Sequence, residues 1–206
     1  MTNRIGLLKV TQSTAFCRPG SVKNVQNIKK LQKILDSLAD SDHYLFTISD
    51  LSQIFPELSY SALKALISRS ERSEILKRVC KGIYIYERAS SPMGMVLYHT
   101  ASRLRAGFFN YLSLESVLSE AGIISQIQMN WISFMSTGRT AIIECGNFGT
   151  IEFVHTKKKI ETFIDDIYYD TKYNIWKSTV KLALKDMKST GRSMELIDWS
   201  AVDEFV

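Results

Sequence analysis

Pro56 constrains the fold of this chain more than any other single residue. It stands inside FTISDLSQIFPELSYSALKALISRS, residues 46–70, and its ring disfavours helical backbone at the residue before it. One continuous helix is therefore excluded, and two short ones are expected. Upstream, Thr47 or Ser49 can cap a helix carrying the apolar positions Leu51, Ile54 and Phe55. Downstream, Ser59 offers a second cap, and Leu63, Leu66 and Ile67 give the second helix a buried stripe. A preceding helix is expected over 22–39, where Val25, Ile28, Leu31, Ile34, Leu35 and Leu38 recur at three- and four-residue steps. Following the pair, Ile75 to Val79 and Ile83 to Tyr86 are short β-rich stretches around Cys80-Lys81-Gly82, with glycine available for the positive φ of a tight hairpin. Helix, two short helices and a basic hairpin, in that order, predict a winged helix-turn-helix domain over 22–89. Residues 1–21 lack a convincing period and are expected to form a flexible arm.

Charge follows the same division. Residues 1–88 carry fourteen Lys/Arg against eight Asp/Glu, whereas the rest of the chain carries twelve against thirteen, out of a total net charge of +5. A basic half joined to a near-neutral half points to a polyanionic partner for the first half only. The second helix, Ser59 to Ser70, is then the expected recognition helix, entering the major groove of double-stranded DNA by its N-terminal end. Its polar face presents Ser59, Tyr60, Ser61, Lys64, Ser68 and Arg69. Arg72, Lys77, Arg78 and Lys81 would continue the strip into the hairpin as phosphate contacts.

No secretory leader or membrane span is expected, because the first twenty residues are polar and no run of eighteen apolar residues occurs. Cytoplasmic residence is the corresponding expectation. Cys17, Cys80 and Cys145 form an odd, widely spaced set, expected to stay reduced and to pack. His43, His99 and His155 have no metal-ligand spacing. Ser61/Lys64 and Ser178/Lys181 are isolated S-x-x-K strings without companion motifs, and Glu144 with Glu152 lacks the further acid or lysine of a nuclease constellation. Gly146 to Gly149 fits a hairpin turn better than a phosphate loop, and Lys157-Lys158-Lys159 a solvated loop, which is also the best place in the second half for an acidic or nucleic-acid partner. The chain is thus expected to be no enzyme and to need neither metal nor cofactor.

Ala89-Ser90-Ser91-Pro92 is the expected boundary to a mixed α/β domain over 90–206 with a small antiparallel sheet, making the whole α+β. Helices are expected over 93–105 and over Leu114 to Gly122 behind the cap Ser113. Strands are expected at Asn130 to Ser136, Thr140 to Cys145 and Thr150 to His155. Further helix is expected at Phe163 to Tyr169, Ile175 to Met187 and Asp198 to Phe205.

Within that second half, FNYLSLESVLSEAGII resembles a characteristic segment of AbiEi-type antitoxins, the antitoxin halves of type IV abortive-infection systems. The matching residues are Tyr111, Ser113, Leu114, Glu115, Ser116, Leu118, Gly122 and Ile124, with Thr137, Arg139, Gly149 and His155 at corresponding places of the following strand region. Tyr111, Ser113, Glu115, Ser116 and Arg139 are the antitoxin-domain motif this implies. The likeness covers roughly residues 25–155. After residue 160 it weakens, since Ser178-Thr179-Val180-Lys181 lacks the Pro and Glu of the family's S-P-E-K run. The resemblance implies an autorepressor that binds inverted repeats in its own promoter, as a pair on DNA. It further implies a C-terminal domain that counteracts a nucleotidyltransferase-like toxin without a stable complex. The alternative is a stand-alone regulator whose second domain dimerises or senses a ligand.

Overall fold

The computed structural model describes residues 19–89, 94–125 and 130–205; the expected arm at 1–18 lies outside them. Helix α1 runs Pro19–Leu38, so residues 19–21 belong to a helix rather than to the arm. Proline suits a first helical turn, where its missing N–H costs nothing. Strand β1, Leu45–Thr47, was not expected: three residues between Asp40-Ser41-Asp42 and a helix cap are too few to show a period. Thr47 then caps α2, Ile48–Ile54, in a reciprocal box. The Asp50 N–H donates to Thr47 Oγ1 at 3.1 Å, and the Thr47 N–H donates to Asp50 Oδ2 at 2.8 Å. Pro56 follows immediately, and Ser59 caps α3, Tyr60–Arg72.

Strands β2, Leu76–Cys80, and β3, Ile83–Tyr86, form the hairpin, with Gly82 at φ 88° in its turn. With β1 they make a three-stranded antiparallel sheet in the order β1-β3-β2. One face of this sheet, through Phe46, Leu76, Tyr84 and Tyr86, closes a core with Leu31, Leu35, Leu51, Phe55, Leu63, Leu66 and Ile67. The Tyr86 hydroxyl donates to Asp36 on α1 across that core. The other face is not solvent-exposed: Leu45, Val79, Cys80, Ile83 and Ile85 belong to the larger core of the C-terminal half. A bulge between Arg78 and Cys80 adds Cys80 to this face. Arg78 pairs with Tyr84 on the helical side, yet Val79 and Cys80 both turn to the opposite side.

The C-terminal half contains α4 (Val96–Leu104), β4 (Asn110–Leu112), α5 (Leu114–Glu120), β5 (Trp131–Ser136), β6 (Ala141–Glu144) and β7 (Thr150–His155). There follow β8 (Ile167–Asp170), β9 (Ile175–Ser178), α6 (Val180–Ser189) and α7 (Trp199–Val202). Its sheet is larger than expected and is not purely antiparallel. Six strands run in the order β6-β7-β5-β4-β9-β8, and the pairs β5/β7 and β4/β9 are parallel. The chain is therefore a mixed α+β protein, with seven α-helices among the described residues.

Two expected helices in this half are corrected. Ile175 to Met187 is not one helix: Ile175–Ser178 is a strand with buried ends, and Thr179 then caps α6 by accepting from the Leu182 N–H at 3.3 Å. Phe163 to Tyr169 resolves into a single 3-10 turn at Ile164–Asp166 and the edge strand β8. In both places short apolar runs satisfied either period, and pairing with β4 and β9 decided the outcome.

Helices α5 and α6 cover the sheet face that carries Tyr111, Ser133 and Glu152. Helix α4 covers the other face, where Arg105 just beyond it stacks 4.8 Å from the Phe153 ring centroid.

Candidate nucleic-acid interface and the buried polar network

Helix α3 has two unlike faces. Leu63, Leu66, Ile67 and Ser70 are buried, whereas Tyr60, Ser61, Lys64, Ala65, Ser68 and Arg72 are exposed. Positions 60, 64, 68 and 72 are four apart and so form one ridge along the helix. Tyr60 is the most exposed large apolar side chain described, at 62%. The Lys64 ammonium sits 4.4 Å above its ring centroid, a cation–π contact that holds both side chains at the N-terminal end of the ridge. Ser59 is committed to the helix cap, its Oγ accepting from the Ala62 N–H at 3.3 Å and lying 3.1 Å from Ser61 Oγ. Arg69 leans inward and its Nε is buried with no hydrogen-bond partner among the described residues.

The hairpin divides its cations between two faces. Arg78 is exposed and lies on the α3 side of the sheet, and its Nε donates to the Cys80 carbonyl at 3.4 Å. Lys81 is exposed at the hairpin turn. Lys77 pairs in register with Ile85 and therefore faces the other way. It forms an ion pair with Glu87 at 3.1 Å and lies 5.3 Å from the Phe148 ring centroid of the C-terminal half. Thus Tyr60, Ser61, Lys64, Ser68 and Arg72 are exposed on α3, Arg78 lies on the α3 side of the sheet, Lys81 is exposed at the hairpin turn, and Lys77 faces the other way. Pairing parity carries this distinction; a list of lysines in sequence cannot.

A second assembly of polar residues is buried. Strand β4 turns into α5 through Leu114, whose φ of 59° is a left-handed conformation rare for leucine and costs about 1–3 kcal/mol. That turn aims the flanking residues of the YLSLES segment at partners from distant elements. Tyr111 and Ser113 donate their hydroxyls to Asp186 Oδ2 at 3.0 and 2.9 Å, and Lys158 donates to Asp186 Oδ1 at 2.8 Å. Asp186 is fully buried. Burial first, then the charge and hydrogen bond of Asp186, push the Tyr111 phenol far above its usual range. Ser178 adds a contact to Ser113 Oγ at 3.3 Å.

Alongside lies a carboxylate–guanidinium group. Arg192 bridges Glu152 and Glu115, the latter at 3.4 Å. Ser133 donates to Glu152 Oε2 at 2.9 Å, and the Ser133 N–H donates to Ser116 Oγ at 2.8 Å.

Tyr111, Ser113, Glu115 and Ser116 are therefore brought together, and Arg139 is not. Arg139 is exposed in the β5–β6 turn, where its carbonyl accepts from Arg105 at 2.6 Å. Sequence reasoning missed Asp186 and Arg192, and it put Lys158 in a solvated loop, whereas Lys158 is bound to the buried Asp186. No local period links residues so far apart, and only the formal charge of buried positions in α6 would have hinted at them.

Glu144 is exposed on β6, whereas Glu152 is buried on β7, so the two do not form a carboxylate pair. Among the described residues no group of three His, Cys, Asp or Glu side chains is placed to hold a metal ion, and no helix is long and apolar enough to cross a membrane.

The two assemblies define a chain with one exposed cationic helix face and one polar core whose groups pair with each other, save Glu115 Oε2, which is buried with no hydrogen-bond partner among the described residues. No family model matches the sequence, and comparison with curated proteins returns no relative.

Proposed function

We propose that residues 19–89 act as a winged helix-turn-helix that binds double-stranded DNA, with α3 in the major groove and the β2–β3 hairpin against the backbone. The observation that carries this reading is the ridge Tyr60, Lys64, Ser68 and Arg72. It is exposed along its length, continued by Arg78 and Lys81, and presented by a helix whose opposite side is locked into a core. Lys64 and Ser61 lie at the end that reaches base edges in this geometry. Arg72, Arg78 and Lys81 are placed for phosphates, which fix register without reading sequence.

The partner is the duplex upstream of the chain's own reading frame. Fluorescence anisotropy on that duplex, compared with a scrambled one, tests the reading. About five phosphate contacts give a log–log salt slope of about −4 to −5. A flat salt response, or equal affinity for both duplexes, overturns it.

The antitoxin role rests on the likeness to AbiEi-type antitoxins, and one observation favours it over a stand-alone regulator. The residues that carry the likeness converge on Asp186 and on the Arg192 bridge. They belong to one built unit, which a chance string would not. Being buried, they specify the domain, and the surface that counters a toxin lies elsewhere on it. Co-expression of the full chain with a neighbouring nucleotidyltransferase-like reading frame tests the role. Rescue by Lys64→Ala as complete as by the wild type is expected. Failure of the wild type to rescue leaves the regulator reading in place.

A further inference from the structure

Cys80 and Cys145 were expected only to pack as separate reduced thiols. The fold brings them together. Cys80 ends β2 in the hairpin, and the bulge at Val79 turns it away from the helical core towards the C-terminal half. Cys145 follows β6 and opens the tight turn through Gly146–Phe148, whose end is closed by the Cys145 N–H donating to the Gly149 carbonyl at 2.7 Å. Strand β2 packs directly on that turn, where Lys77 lies over Phe148. Both side chains belong to one apolar cluster and both are free thiols. The two thiols neighbour each other across the junction between the sheet of the N-terminal module and the C-terminal half, close enough for each to act on the other's ionisation, and the Cys145 Sγ also lies 3.8 Å from the Ile143 carbonyl.

We propose that Cys80 and Cys145 form a redox couple, which a peroxide closes into a disulfide stapling the hairpin of the DNA-reading module to the C-terminal half. The two thiols are unequal. Cys80 keeps 6% exposure beside the exposed Lys81, whereas Cys145 has none, so a peroxide reaches Cys80 first and Cys80 is the attacking thiolate. The neighbouring Cys145 thiol, with help from the Arg78 charge, holds Cys80 below its ordinary range against burial, and the Cys80 contact and burial push Cys145 above it.

The chemistry balances without a cofactor. The Cys80 thiolate attacks hydrogen peroxide, breaking the O–O bond and giving a sulfenic acid and hydroxide, which takes the proton released by Cys80 to become water. The Cys145 sulfur then attacks the sulfenic sulfur, forming the S–S bond; the expelled hydroxide takes the Cys145 proton to give a second water. Two thiols are oxidised and one peroxide is reduced to two waters. The bulge has a role in this reading. In a regular hairpin, alternation would turn Cys80 to the helical side with Leu76 and Arg78, away from Cys145.

The full chain carrying Cys17→Ser, which removes the third thiol, is treated with hydrogen peroxide while folded. It is then unfolded in an alkylating agent, weighed intact and mapped by peptide mass. Loss of two hydrogens from the monomer, one Cys80–Cys145 linked peptide, and a rise in thermal midpoint reversed by dithiothreitol are expected. The same treatment of Cys145→Ala is expected to leave Cys80 carrying one or two added oxygens and no linked peptide. Two results overturn the proposal: both thiols remaining fully alkylatable, or Cys80 reaching the sulfinic acid while Cys145 is present. The peptide map of the parent chain decides the matter even if Cys145→Ala does not fold. No readout involves DNA, so the staple and the DNA-binding reading fail separately.

Discussion

Tyr60, Ser61 and Lys64 on α3 are the same residue types as Tyr111, Ser113 and Lys158 in the C-terminal half, and they live opposite lives. The first three are exposed, with Lys64 resting on Tyr60 and no carboxylate in its ion pairs among the described residues. The second three converge on one buried carboxylate, Asp186. A polar side chain whose hydrogen-bonding capacity is spent inside the protein specifies the fold. One left facing water is available to something else. The contrast is consistent with the proposed recognition role of the N-terminal module and gives the YLSLES segment an architectural one.

The sharpest way to break that division is to remove Asp186. Asp186→Ala leaves the Tyr111 and Ser113 hydroxyls and the Lys158 ammonium without their shared acceptor. Lys158, 36% exposed on its side chain, can turn to water, but each of the two buried hydroxyls left without an acceptor costs about 1–3 kcal/mol. Urea denaturation should register that loss. DNA affinity, measured where the variant is still folded, should be unchanged. An unaltered denaturation midpoint would show that the cluster is not structural. Arg192→Ala comes next, since it leaves Glu115 and Glu152 facing each other. Arg192 is about one-third exposed on its side chain, at 30%, and water can partly screen the two carboxylates. A smaller loss of about 1–3 kcal/mol is expected.

The recognition side predicts the reverse pattern. Lys64→Ala should cost about 1–3 kcal/mol in DNA binding, most of it against the preferred sequence, and leave the denaturation midpoint within about 0.5 kcal/mol of the parent. A uniform loss on every duplex would make Lys64 a phosphate contact instead. Lys77→Ala is the internal control. Its ammonium is on the far face of the sheet with Glu87 and Phe148. It should leave DNA affinity and its salt slope unaltered and cost under about 1 kcal/mol of stability, as exposed ion pairs do. A salt slope shallower by about one unit in Lys77→Ala would return this lysine to the phosphate-binding set.

Much of the N-terminal module was legible from local chemistry. Pro56, the Thr47 and Ser59 caps, and the spacing of Leu63, Leu66 and Ile67 are signals confined to a few residues, and α2 and α3 follow from them. What escaped was set by long-range pairing. β1 and β4 are three residues each and take their identity from β3 and β5. The false helix over Ile175 to Met187 arose because Ile175, Trp176 and the stripe of α6 also fit a helical period. Pairing with Tyr111–Leu112 on one side and with β8 on the other settles the strand. The candidate DNA face was visible as residue types, but the exclusion of Lys77 depends on pairing parity. The turning of Cys80 to the hairpin's other face, against the C-terminal half, depends on a bulge. Neither leaves a trace in composition.

The smallest effect concerns the seam between the two regions. His99 on α4 reaches across to Tyr44, whose hydroxyl lies 2.8 Å from His99 Nδ1. Burial depresses the His99 pKa below its ordinary 6.5, with Arg103 adding to this and Asp42 opposing it. The His99 Nε2 is buried with no hydrogen-bond partner among the described residues. A proton placed on this ring therefore has no acceptor at Nε2. Between the depressed folded value and 6.5, the unfolded chain binds a proton that the folded chain does not, so stability must fall as pH drops through that window. His99→Gln keeps a polar group near Tyr44 but cannot take up the proton. Thermal midpoints of the parent and of this variant should therefore diverge at pH 7.5 and draw together towards pH 5. Parallel midpoint curves would show that the seam does not sense protons. A parent that gained stability on acidification relative to the variant would reverse the sign and place a stabilised charge on His99.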